Sequence, residues 1–435
     1  MSNASPGLLR NARVPAVLTG EGSGWRKVDI RLKDGTIVAL DSAGAASPQA
    51  GETVHDCDGG IVLPAFCDLH THLDKGHIWP RRANPDGSFM GALLAVKEDR
   101  EAHWSAADIE ARMEFALRCA YAHGTAAIRT HLDSAPPQHE TTWPLFSAMR
   151  ERWAGRVELQ ATALIGPDHA LDRDLVEEMA RTVKHHGGQL GGAISLFDRA
   201  GEAIANLVEA AGRHGLDLDL HIDESEEPDS RTLRVLADTV LETGFSGRVL
   251  AGHCCSLAVQ EEAFAKETIE RVARAGIAVV SLPLCNLYLQ DRHNAAFPRT
   301  PRWRGVTLVN ELKAAGVAVS LSSDNTRDPF YAYGDLDMVE VFRESVRIAH
   351  LDHPAEHAAS WFSAVTATPA ATGGFAHRGL IEPGRPADLV VTRARDLTEF
   401  LSRPQSERIV LRAGAPIDTA LPDYRELDPI LGDRP

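Results

Sequence analysis

The chain has 435 residues, of which 44% are hydrophobic, 24% charged and 6% aromatic, the composition of a globular protein and not of a disordered one. Its 45 basic and 61 acidic residues leave a net charge of −16, which repels phosphate backbones and argues against a nucleic-acid partner. No apolar run approaches the roughly 20 residues that span a bilayer, and the first residues lack the basic-then-apolar pattern of a secretory signal. No membrane partner and a cytoplasmic location are therefore expected, with six scattered cysteines expected as buried thiols because they lack C-x-x-C spacing.

From Leu8 to about Leu63 the pattern is short and strand-like, with VDIRL and TIVAL flanking the turn KDG, the signature of a small antiparallel sheet. From Pro64 to Thr368 the style changes. The apolar runs AAIRTHLD, VELQATALIG, QLGGAISL, LDLDLHID, RVLAGHC, IAVVSLPL and VAVSLSSD alternate with amphipathic helical stretches, as parallel strands covered on both faces do. Near the end short strands return in ADLVVT and in IVLRAGAPI at 409–417, behind the turn EPGRP. The expected fold is a (β/α)₈ TIM barrel at 64–368, carrying a small β-sandwich domain built from 1–63 and 369–435.

The chemistry-bearing residues sit at strand ends. DLHTHLDK holds His70 and His72 one residue apart, so a strand directs both to one side. LDLHIDES supplies His221 and Glu224, RVLAGHCC supplies His253, and SLSSDN supplies Asp324. Steps of 149, 32 and 71 residues separate His72, His221, His253 and Asp324, close to four, one and two βα units of roughly 30 to 40 residues. That arithmetic puts the candidates on the first, fifth, sixth and eighth barrel strands, at the carboxyl face where barrel active sites form. Imidazoles with a carboxylate suit a borderline divalent cation, zinc or ferrous iron, with a position left for water. Such a cation brings water's pKa near neutrality, and Glu224 is placed to shuttle the proton.

In these residues the sequence resembles the amidohydrolase superfamily, and within it the cytosine deaminase branch. The resemblance implies one metal held by His70, His72, His221 and Asp324, with His253 hydrogen-bonding the attacking water and Glu224 as proton shuttle. THLD at 130–133, PLCNLYLQDR at 283–292 and SDNTRDPFYAYGDLDM at 323–338 are similar to segments of that branch. Binuclear members carry a bridging lysine on a middle strand; VELQATALIG and QLGGAISL have none, which favours a single ion.

The departures fall on specificity. Members of the branch hold the pyrimidine carbonyl with a glutamine where Ile165 and Gly166 stand here, and they carry an acidic residue and a tryptophan where this chain has Asn325 and Phe330. Cytosine itself is thereby put in doubt, since a site loses discrimination with its hydrogen-bonding groups, and a larger ring such as a pterin becomes compatible. The Asp-Asn pair is also similar to N-isopropylammelide amidohydrolases, which the resemblance describes as lacking the glutamate that Glu224 supplies. Glu224, His253 and Asp324 are thus the expected catalytic residues, and Gly166, Asn325, Phe330 and Gln290 the expected substrate contacts. Lys75 and Arg81, in the long loop after His72, are candidates for an anionic substrate group, and His77 for a role within that loop, whereas His123, His185, His186 and His214, in helical or turn contexts, are expected at the surface.

The expected activity is hydrolytic deamination of an amino-substituted nitrogen heterocycle through attack of a metal-bound hydroxide. Release of a substituted amine from a triazine, or opening of a cyclic amide, is the alternative reaction. A non-catalytic scaffold is the alternative of another class. The expected partner is a small heterocycle, with a homo-oligomer compatible with the sequence.

Overall fold

The computed structural model describes residues 5–195, 197–292 and 299–432. Five short strands come first: β1 (Leu8–Pro15), β2 (Trp25–Lys33), β3 (Thr36–Ser42), β4 (Val54–Asp56) and β5 (Val62–Pro64). The β2–β3 hairpin turns at Asp34 and Gly35, both with positive φ, 49° and 77°, the two-residue turn whose twist matches that of the flanking strands.

Eight strands follow: β6 (Phe66–Thr71), β7 (Thr125–Asp133), β8 (Glu158–Leu164), β9 (Leu190–Ile194), β10 (Leu218–Ile222), β11 (Val249–His253), β12 (Ala278–Ser281) and β13 (Val319–Leu321). The last three are β14 (Leu389–Val391), β15 (Ile409–Arg412) and β16 (Ala415–Pro416). The run expected as one strand at 409–417 is a hairpin instead, broken where Ala413 and Gly414 take φ of 46° and 76°. The strand expected in IAVVSLPL likewise stops at Ser281, because Pro283 lacks a ladder donor and opens a helix, Pro283–Leu289.

Among the described residues the terminal strands form two four-stranded sheets, ordered β3-β2-β1-β4 and β16-β15-β14-β5. β5, just ahead of the barrel, pairs antiparallel with β14, which follows it, so the two chain ends share one sheet. The junction with the barrel is close. Gly124 ends the helix Ala106–His123 at φ 98°, and a Cβ there would stand 2.8 Å from Val390 Cγ2 on β14, a contact only glycine permits.

The fold is a TIM barrel with an added domain. Its strands lie in two parallel ladders, β6-β7-β8 and β9-β10-β11-β12-β13. Between them the seams narrow to single parallel bridges, Thr162↔Gln189 and Thr71↔Asp324. The second seam is reinforced by side chains. Asp324 N–H donates to His70 O (2.9 Å), Leu69 N–H to Ser322 Oγ (3.1 Å), and Ser323 gives its N–H (3.1 Å) and its hydroxyl to the buried carboxylate of Asp68.

The segment 423–432 returns to the barrel. Tyr424 Oη donates to Asp335 Oδ1 (3.0 Å), the Arg327 guanidinium lies 4.2 Å above the Tyr424 ring, and Arg118 pairs with Glu426 (2.6 Å). Leu427 and Leu431 pack with Phe115 and Cys119 of the helix Ala106–His123. Among the described residues no helix is long and apolar enough to cross a membrane, and the six cysteines are buried free thiols.

Asp68→Ala leaves the buried Ser323 donors unpaired. It is expected to lower stability by about 1–3 kcal/mol, read as a reduced urea midpoint at unchanged slope; an unaltered midpoint shows that the seam does not depend on this carboxylate.

Candidate active site

Every candidate ligand stands where a strand leaves the barrel. His70 lies on β6 with His72 one residue beyond it, His221 is on β10, His253 ends β11, and Asp324 follows β13 by three residues. His253 and Asp324 both take left-handed backbone, φ 67° and 65°, a conformation that costs energy at non-glycine residues and gathers at functional sites. On β11, Gly252 makes room for a ligand ring: a Cβ there would meet His70 Cε1 at 2.9 Å.

The ring nitrogens converge. His70 Nε2 lies 3.1 Å from His221 Nε2, which lies 3.2 Å from His72 Nε2; Asp324 Oδ1 is 3.2 Å from His72 Nε2 and 3.6 Å from His70 Nε2. One neutral Nε2 carries at most one proton, so a single nitrogen cannot donate to both of its neighbours. Both Asp324 oxygens are buried, with only the weak thiol donor of Cys285 beside them among the described residues. Ligand atoms about 2.0–2.1 Å from one zinc-like ion in tetrahedral array sit about 3.3 Å apart, close to these four separations. Burial drives His70, His72 and His221 well below the usual imidazole pKa and lifts Asp324 to about 8. The rings are therefore held neutral, as ligation requires.

Glu224 and His253 share a partner beside this cluster. Asn286 Nδ2 lies 3.0 Å from His253 Nδ1 and donates to Glu224 Oε1 at 3.4 Å, while His253 Nδ1 and Glu224 Oε1 are 3.3 Å apart. An amide donor on Nδ1 leaves the proton on Nε2, which is buried without a partner. Burial holds His253 at about 3, hence neutral, and raises Glu224 well above the ordinary carboxyl range, with the nearby Asp324 charge adding to the rise. A carboxyl raised towards neutrality can both take and give a proton.

His131 is a residue the sequence reading passed over as a site group, although its THLD run stood out. On β7 its ring packs 3.9 Å from that of His70 and 4.6 Å from that of His221, with Nε2 3.7 Å from Asp219 Oδ1. Asp219 in turn pairs with Arg129 (2.9 Å), whose other donors reach Gln160 and Gly373 O. The only sequence signal was a histidine near the carboxyl end of an apolar run, the same signal that marks His221.

A cavity of about 510 Å³ opens above the cluster. His72, His221, Glu224 and His253 line it, with Gly166, Asn325 and Phe330 in its wall. A Cβ at Gly166 would meet nothing nearer than 4.0 Å, so the wall there is open backbone. Asn325 Nδ2 donates to Asp328 Oδ2 (2.7 Å), fixing the turn that presents Phe330. Lys75 and Asp133 also face the cavity, joined at 3.0 Å.

Three expectations change. Gln290 does not line the cavity: it follows the helix Pro283–Leu289, and its Cβ and Cγ crowd Gly305 instead. Asn286, one helical turn earlier, is the residue that reaches the site. Arg81 is spent on Asp99 and Asp108, at 2.8 and 2.6 Å, and on Ile430 O. His123, expected at the surface, is held between Asp335 (2.7 Å) and Arg408. His77 is buried against Phe115, away from the cavity wall.

Residues 177–417 match the Amidohydrolase family. The chain is 55% identical to a pterin deaminase of Rhizobium rhizogenes, over 99% of this chain and 98% of that protein. Its fold is similar to that of 5-methylcytosine deaminase from Klebsiella pneumoniae, with a TM-score of 0.79 at 24% identity, covering 96% of this chain and 98% of that one. N-isopropylammelide isopropylaminohydrolase from Burkholderia multivorans gives a TM-score of 0.73 at 26% identity, covering 95% and 99%.

The unpaired nitrogens and carboxylate oxygens repel one another unless a cation lies between them. Chelator-treated protein is therefore expected to melt at lower temperature than untreated protein, with the loss reversed by added zinc or ferrous ion. Identical melting curves with and without chelator would show that these groups hold no ion.

Proposed function

Since the chain belongs to the amidohydrolase family and is a metal-dependent hydrolytic deaminase of amino-substituted nitrogen heterocycles, we propose that its substrate ring is a pterin. The observation that carries this reading is the 55% identity to a pterin deaminase over nearly the whole of both chains. The cavity agrees with it. About 510 Å³ walled by Ile165, Gly166 and Phe330 accommodates a bicyclic ring.

In this reading His70, His72, His221 and Asp324 hold one divalent ion, zinc or iron. When bound, the ion supplies Lewis acidity that brings the pKa of water near neutrality. Glu224 takes the proton from the water and delivers it to the ring nitrogen beside the amine-bearing carbon. Nε2–H of His253 donates to the oxygen added at that carbon, and Asp324 accepts the hydrogen bond that orients it. Glu224 then takes the remaining proton of the added hydroxyl and passes it to the departing amine; the C–N bond breaks as the C=O bond forms, and ammonia leaves. Gly166 and Phe330 border the ring, and Asn325 shapes the turn behind it.

The division into a terminal β unit at 1–63 and 369–435 and a catalytic unit at 64–368 belongs to the same reading, supported by the β5–β14 pairing. A cytoplasmic location is supported by the six free thiols.

Glu224→Gln keeps the shape of the carboxyl and removes its proton transfer. Turnover is expected to fall by about 10²–10⁴-fold while metal content, read by elemental analysis, stays at the wild-type level; undiminished turnover removes Glu224 from the mechanism. In an ammonia-release screen over pterins, aminopyrimidines, aminotriazines and purines, pterin is expected to give the highest kcat/KM. Preferential release of an alkylamine from a substituted triazine would favour the alternative reaction.

A further inference from the structure

Three residues beyond the H-x-H pair the chain sets a lysine into the cavity wall. Lys75 is only 4% exposed, its ammonium is 3.0 Å from Asp133 Oδ1, and it stands 5.4 Å from the centre of the Phe330 ring. Asp133 is itself fixed. Its Oδ2 accepts from Arg100 at 2.9 Å, and its N–H donates to Asp74 Oδ2 at 2.7 Å.

Burying an ammonium is expensive, and an ion pair serving stability alone gains little from a place in a cavity wall. Lys75, Asp133, Arg100 and Phe330 nevertheless all line the cavity. Lys75 and Arg100 both bond Asp133, and the nearby Asp74 and Asp328 help keep the buried ammonium charged. The ammonium carries three donors, and Asp133 engages one of them.

A deaminated heterocycle of this class presents a matching acceptor. The carbon bearing the amine is flanked by ring nitrogens, and beyond one of them a 4-oxo pterin carries its carbonyl oxygen, with N5 as a second acceptor beside it. We propose that Lys75, positioned by Asp133, binds this oxo edge of the ring and is the residue that selects oxo-bearing substrates, in place of a side-chain amide at the position Gly166 occupies. The assignment rests on the proposed function and adds its specificity element: Phe330 and the backbone at Gly166 flank the ring, while a charged donor reads its polar edge.

Pterin and 2-aminopteridine differ in the 4-oxo group and the lactam N3–H that accompanies it, and ammonia release from each, in wild-type protein and in Lys75 variants, separates the possibilities. Wild-type protein is expected to prefer pterin. Lys75→Met is expected to lose about 10- to 100-fold in kcat/KM on pterin, under about threefold on 2-aminopteridine, and no bound metal. Lys75→Arg, which keeps the charge, is expected to restore part of the preference. Equal losses on both substrates, or loss of the metal, would overturn the assignment and leave Lys75 as a purely structural cation. Equal wild-type kcat/KM on the two rings overturns it without any variant. Should wild-type protein release ammonia from another oxo-bearing ring and from neither pteridine, the pterin reading fails; the same comparison on that ring, with and without its oxo group, then decides the role of Lys75.

Discussion

Three imidazole nitrogens and a carboxylate, buried and linked by four contacts of 3.1 to 3.6 Å without enough protons to pair them, are the constraint around which this protein is organised. Buried lone pairs facing each other are costly, and only a cation at their centre turns the cost into binding. Everything nearby keeps the four groups from relaxing apart. The His70–Asp324 backbone bond ties the first barrel strand to the last at the point where both deliver a ligand, and Asp68 locks the adjacent Ser323. Gly252 yields its side-chain space to the His70 ring, and His131 packs beneath it, above the Asp219–Arg129 pair.

Barrel architecture explains why so much of this was legible in the sequence. Parallel strands of similar length place their carboxyl ends on one face, so His70, His72, His221, His253 and Asp324 could be grouped by spacing although 254 residues separate the outermost two. The readings that failed depend on partners with no periodic relation to the residue. Arg81 looked available until Asp99 and Asp108 closed on it, and His123 looked superficial until Arg408, 285 positions on, reached it. Gln290 and Asn286 are one helical turn apart, and no pattern in PLCNLYLQ says which of them faces His253. His131 was hidden for a simpler reason: a lone histidine near a strand end gains meaning only when its neighbours across the barrel are known.

The site also separates its tasks by depth. At the floor, residues at the strand ends supply a histidine–aspartate cluster able to hold a metal, a raised carboxyl and a neutral imidazole, a set suited to moving protons at any amine-bearing ring carbon. Higher up, the walls come from βα loops: Lys75 and Phe330 from the loops after β6 and β13, Gly166 after β8. Loop substitutions can change the ring without disturbing the ligands, the usual division of labour in this fold.

One remote element is coupled to these walls. Tyr424 grips Arg327 and Asp335, residues of the same loop that holds Asn325 and Phe330, and the backbone of that loop also receives His77 N–H at Thr326 O (2.9 Å). The final helical turns thus buttress the roof of the cavity from outside the barrel. Fraying of residues 423–432 and loosening of the substrate wall become one cooperative event, so whatever rigidifies the pocket should slow amide hydrogen exchange in a segment that never touches the ligand.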